Sequence, residues 1–93
     1  MSDVLDMLWA TIESRKRERP AGSYTVQLLE DGETEILKKL GEEAIEVIVA
    51  ASAEGDERVV YEVADLLYHG LVLLAARDLS WQDVEVELRR RFA

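Results

Sequence analysis

Cysteine is absent from this 93-residue chain, so disulfides, thiolate metal sites and cysteine nucleophiles are excluded. Proline occurs once and glycine five times, so little interrupts long helices. No apolar segment follows a basic amino-terminal stretch. The longest purely apolar run, Leu71 to Ala76, is far too short to cross a bilayer. The expectation is a soluble, cytoplasmic protein with no membrane partner. Positive charge is also scarce, and without a sizeable basic face no nucleic-acid partner is expected. Convincing strand alternation, repeats and low-complexity tracts are missing, which leaves an all-α class. The length fits one domain over residues 1–93, small enough for oligomerisation to aid its stability.

What the chain does have is acid, unevenly placed. Residues 30–65 hold twelve Asp and Glu against Lys38, Lys39 and Arg58, and so carry the entire net charge of -9. The rest of the chain is neutral. Solubility alone would not need such focusing, whereas a cation-binding region would.

Apolar spacing gives the helices. Val4, Leu5, Leu8, Trp9 and Ile12 mark a first helix over about 3–18, ending in Arg15, Lys16 and Arg17. Pro20-Ala21-Gly22 breaks it, and Ser23 is placed to cap a short second helix bearing Val26, Leu28 and Leu29. Asp31 is the expected cap of a third helix, over about 33–54, with Ile36, Leu37, Leu40, Ala44, Val47, Ile48 and Ala51 on one broad stripe. Gly55 and Asp56 stop that helix and start a fourth, over about 57–77. The fourth is apolar almost all round from Val63 onward, as a helix buried on more than one side would be. Ser80 and Asp83 form a capping-box-like start to a last helix carrying Trp81, Val84, Leu88 and Phe92. The expectation is an antiparallel bundle of four to five helices, shared with a second copy as an obligate homodimer.

Two i,i+3 acidic pairs stand out. Glu43 and Glu46 lie on the third helix, and Glu62 and Asp65 on the fourth, with fifteen residues between the pairs. Both pairs are symmetric about residue 54, where the chain turns, so antiparallel helices would set Glu46 against Glu62 and Glu43 against Asp65. A single ExxE on a helix is most often a solvated face. Two in register, among apolar neighbours such as Val63, Ala64 and Leu66, instead match the carboxylate set that Mg2+ takes while keeping waters or substrate phosphates. Lys39 shares a face with Glu42 and Glu46, either as an ordinary ion-pair partner or to neutralise a phosphate. His69, on the Glu62/Asp65 face, is either a satisfied core group or a substrate contact. Arg15, Lys16, Arg17 and Arg19 are a solvated helix end or face a polyphosphate.

The runs Arg19-Pro20-Ala21-Gly22-Ser23-Tyr24-Thr25, Lys39-Leu40-Gly41-Glu42-Glu43-Ala44-Ile45-Glu46 and Glu62-Val63-Ala64-Asp65-Leu66-Leu67-Tyr68-His69 resemble phosphoribosyl-ATP pyrophosphatases of histidine biosynthesis. These belong to the all-α NTP pyrophosphatase (MazG-like) superfamily. The resemblance covers about residues 5–92. It implies Glu43, Glu46, Glu62 and Asp65 as Mg2+ ligands, and Glu42 as a further acid that binds metal or orients the attacking water. It also implies Lys39, Arg19, Ser23, Tyr24 and Thr25 as holding the phosphoribosyl and phosphate groups, with at least a dimer as the assembly. The implied reaction is hydrolysis of N1-(5-phosphoribosyl)-ATP to its AMP adduct and pyrophosphate, with Glu42 or Glu46 taking the proton from water. A housekeeping pyrophosphatase on another nucleotide would use the same metal site. A non-catalytic helical dimerisation module would have only solvated acids.

Overall fold

A computed structural model describes residues 3–92, which form five α-helices and no strand. They are α1 (Asp3–Glu18), α2 (Tyr24–Asp31), α3 (Glu33–Val49), α4 (Asp56–Ala76) and α5 (Trp81–Phe92), with a π-helical turn, Ala50–Glu54, extending α3. Each expected helix is present close to its expected bounds. α3 and α4 form an antiparallel hairpin, with α2 packed across both and α1 laid against α2 and α4.

The ends of these helices follow from local chemistry. The Ser23 hydroxyl accepts a hydrogen bond from the Val26 amide and so caps α2. The Ser80 and Asp83 side chains each accept the other's backbone N–H, completing the capping box of α5. The expected Asp31 cap of α3 is not made. Asp31 is the last residue of α2, its carboxylate accepts from Gln27, and Gly32 takes the junction instead. Gly32 (φ 97, ψ 172) and Gly55 (φ 101, ψ 172) share one conformation. That region is essentially closed to residues with a Cβ, so each glycine makes a one-residue break between helices. At the far end of α4, Lys16 of α1 reaches over to donate to the Ala75 carbonyl at 2.6 Å and pairs with Asp78. The Ala75 carbonyl also accepts the Asp78 amide at 3.2 Å, and a cation there opposes the negative end of the helix dipole.

The core gathers residues of all five helices. Trp9, Ile12, Leu28, Ile36, Leu71, Val72, Ala75 and Trp81 pack together, with Leu5, Leu8 and Tyr68 around them. The expected stripe of α3 is only partly inside. Ile36 is fully buried, but Leu37 and Ile48 are exposed, as are Ile45, Val49, Val60, Val63 and Leu67 nearby. α4 is long and apolar enough to cross a membrane by length and composition. In the fold it is the helix against which α1, α2 and α3 pack, and it holds two carboxylates and a histidine midway. The radius of gyration is 14.1 Å, against about 12.3 Å for a compact globule of this length. The accessible surface is 6221 Å², against about 5,400 Å² for a folded monomer of this mass.

Candidate metal centre

The antiparallel hairpin sets the acids of α3 beside those of α4. Glu42, Glu43, Glu46, Glu62 and Asp65, with Arg58 and Tyr61, line an open cleft of about 440 Å³. Within it Glu43, Glu62 and Asp65 each offer an oxygen, all within 4.8 Å of one another. In an octahedral Mg2+ site with bonds of about 2.0–2.1 Å, neighbouring oxygens lie about 2.9 Å apart and only one pair of three can be trans, at about 4.2 Å, so the three carboxylates would draw together around an ion. The donor set, three hard oxygens with no nitrogen or sulfur, fits a divalent cation of that kind. Glu46 lines the same cleft outside this triad, so Glu43 approaches both Glu62 and Asp65 rather than Asp65 alone. The connection between the helices, a π turn closed by the Gly55 amide on Ala50 and a single glycine at positive φ, sets that register.

The electrostatics agree with a cation site. Burial, and then the charge of Asp65, push the Glu43 carboxyl above its ordinary range. Glu62 is 4% exposed and would be costly as a lone charge. Its partner is Arg58, one turn earlier, whose guanidinium donates at 2.8 Å. Neither Arg58 nor Tyr61 beneath it stood out in the sequence as functional. The i,i+4 spacing of Arg58 to Glu62 was the available signal.

The other expected site residues divide into two groups. Arg19, Ser23 and Tyr24 line a second recess of about 420 Å³ with Pro20, Gln27 and Glu30. Lys39 sits at the edge of the acidic cleft, 3.6 Å from Glu42. Thr25 and His69, by contrast, are buried and engaged with the protein itself. Thr25 shares a 2.5 Å hydroxyl–hydroxyl hydrogen bond with Tyr68. His69 Nδ1 is 2.8 Å from the Asp65 carbonyl, which can only accept, so Nδ1 carries the proton. In the neutral ring Nε2 then accepts from the Tyr24 hydroxyl at 3.3 Å. The Tyr24 and Tyr68 rings stack with centroids 6.2 Å apart, and His69 meets both edge-on. Burial raises both tyrosine pKa values, keeping the hydroxyls protonated as donors. This knot ties the wall of the second recess to the helix that carries Glu62 and Asp65.

Carboxylates converging from two antiparallel helices of an all-α chain, beside a polar recess, define a centre of the MazG-like type. The sequence profile of the phosphoribosyl-ATP pyrophosphohydrolase family matches residues 5–92. The chain is 54% identical over 91 residues to a phosphoribosyl-ATP pyrophosphatase of Metallosphaera sedula, covering 98% of each protein. It is 55% identical to that of Trichlorobacter lovleyi, covering 96% of this chain and 82% of the relative. For the Ignicoccus hospitalis protein the identity is 46%, over 98% of this chain and 89% of the relative. The chain belongs to the phosphoribosyl-ATP pyrophosphohydrolase family.

Proposed function

We propose that this chain hydrolyses N1-(5-phosphoribosyl)-ATP to N1-(5-phosphoribosyl)-AMP and pyrophosphate in histidine biosynthesis, as a single cytoplasmic domain using Mg2+. Family membership supports the reaction, and one observation supports its location: Glu43, Glu62 and Asp65 within 4.8 Å of one another. These three, with Glu46, would hold the ion. Bound there, the ion supplies charge neutralisation for the triphosphate and a more acidic water. Glu42 or Glu46, on the open side of the cleft, takes the proton from the attacking water. Lys39 draws in the phosphate chain at the cleft edge. Arg19, Ser23 and Tyr24 receive the phosphoribosyl end in the second recess, while Thr25 and His69 keep that recess in register with the carboxylates.

We also propose a homodimer or higher homo-oligomer. The accessible surface exceeds that of a compact monomer by about 800 Å², close to one partner's share of a standard interface. The surplus includes Ile45, Ile48, Val49, Val60, Val63 and Leu67 on α3 and α4.

The test offers the purified protein phosphoribosyl-ATP and plain ATP, each with Mg2+. Release of pyrophosphate from the adduct, and its loss in Glu46→Gln with the fold intact, is the expected result. Turnover of ATP alone would sink the substrate assignment.

A further inference from the structure

Glu62 is claimed twice. It belongs to the carboxylate triad, and it is also the partner of Arg58, which donates to Oε1 at 2.8 Å. Among the residues lining the cleft Arg58 is the only base, facing five carboxylates. Its side chain is 49% exposed, and its other contacts are loose. The guanidinium carbon lies 4.4 Å from the centroid of the exposed Tyr61 ring, and Nε lies 3.9 Å from Glu54. A buried carboxylate needs a partner, and here that partner is a cation with room to leave.

We propose that Arg58 is the resident counter-ion of the cleft and exchanges charge partners as the site fills. In the metal-free protein it neutralises Glu62. When a divalent cation takes Glu62, two positive groups compete for one carboxylate, and the arginine gives way toward the cleft mouth. Its donors then meet the phosphate oxygens of the incoming triphosphate. A guanidinium fork matches phosphate in geometry as well as charge. The cleft has a need for it: five carboxylates and a polyanionic substrate together exceed what one divalent ion offsets. Only this last step rests on the proposed reaction; the competition for Glu62 does not.

The experiment titrates the metal-free full-length protein with Mn2+ by calorimetry and follows melting, comparing wild type, Arg58→Gln and Arg58→Lys. In Arg58→Gln, Mn2+ affinity rises about tenfold, equivalent to ~1.4 kcal/mol. Its metal-free melting temperature falls, and the rise on adding Mn2+ is larger than in wild type. Arg58→Lys, which keeps the charge, stays near wild type. Unchanged or weaker Mn2+ binding in Arg58→Gln overturns the exchange and makes Arg58 a fixed anchor for a ligand. The phosphate step is read separately: KM for phosphoribosyl-ATP rises about tenfold in Arg58→Gln while kcat stays within about threefold. An unchanged KM overturns that step. A wild-type protein inactive on the adduct would count against the proposed reaction, and the Mn2+ titration would still decide the exchange.

Discussion

Between Asp56 and Tyr68 the one buried side chain of α4 is a carboxylate, Glu62, with Val60, Tyr61, Val63 and Leu67 left exposed around it. From His69 to Ala75 the same helix is consolidated: Leu71, Val72 and Ala75 are almost wholly buried, under Trp9, Ile12 and Trp81. The C-terminal half is also tied down at its end by Lys16. The first half spends burial on a charge and leaves its apolar groups uncovered, and so contributes function at a cost in stability. The second half supplies the stability that this requires. A single helix can hold both because His69, at the boundary, grips the Asp65 carbonyl on one side and Tyr24 on the other.

The contrast can be broken or sharpened by substitution. Leu71→Ala removes a core side chain and should cost about 2–5 kcal/mol in urea unfolding. The same change at Leu67, one turn earlier, should cost less than half as much in dilute protein. Equal costs would erase the distinction between the halves. Val63→Asp should leave helix content unchanged and weaken self-association by roughly 2–3 kcal/mol, read by sedimentation over a dilution series. An unaltered sedimentation profile would remove this face from the interface. Ser80→Ala should lower stability by about 1 kcal/mol through loss of the α5 cap, with metal binding untouched.

The smallest expected effect concerns pH. Burial and Asp65 hold the Glu43 carboxyl above its ordinary 4.5, so folding favours its protonated form. That contribution to stability is fully present below about pH 4.5 and is lost as pH rises through the raised value. Lowering the pH from neutral toward about 4.5 should therefore raise the melting temperature of the metal-free protein slightly. Glu43→Gln should remove that increment. The same slope in wild type and variant would show that Glu43 is not the group responsible.

Much of this was legible in the sequence because its signals are local. Helix bounds follow from apolar period, and the Ser23 and Ser80/Asp83 caps from residue type and spacing. The acidic pairs follow from symmetry about the turn. The remainder depends on tertiary placement. The stripe of α3 identifies apolar residues but not which of them meet this chain's own core, and Ile48 looks as buried as Ile36 in one dimension. Asp31 has the composition of a cap, yet glycine's access to positive φ makes Gly32 the cheaper junction. Thr25 and His69 are polar residues beside a site, and only the fold shows that Tyr68 and Tyr24 already satisfy them.

The join between α3 and α4 has a consequence for how this sequence can vary. Ala51–Glu54, Asp56 and Glu57 are all exposed, so their side chains can be exchanged with little penalty. Their number is another matter. The π turn leads through Gly55 alone into α4, and each residue added or lost turns the helix that follows by about 100°. One insertion between Val47 and Tyr61 would swing Glu62 and Asp65 away from Glu43 while leaving every amino acid of the centre in place. Apart from Ala50, Gly55 and Arg58, the segment tolerates rewriting letter by letter but not a change of length.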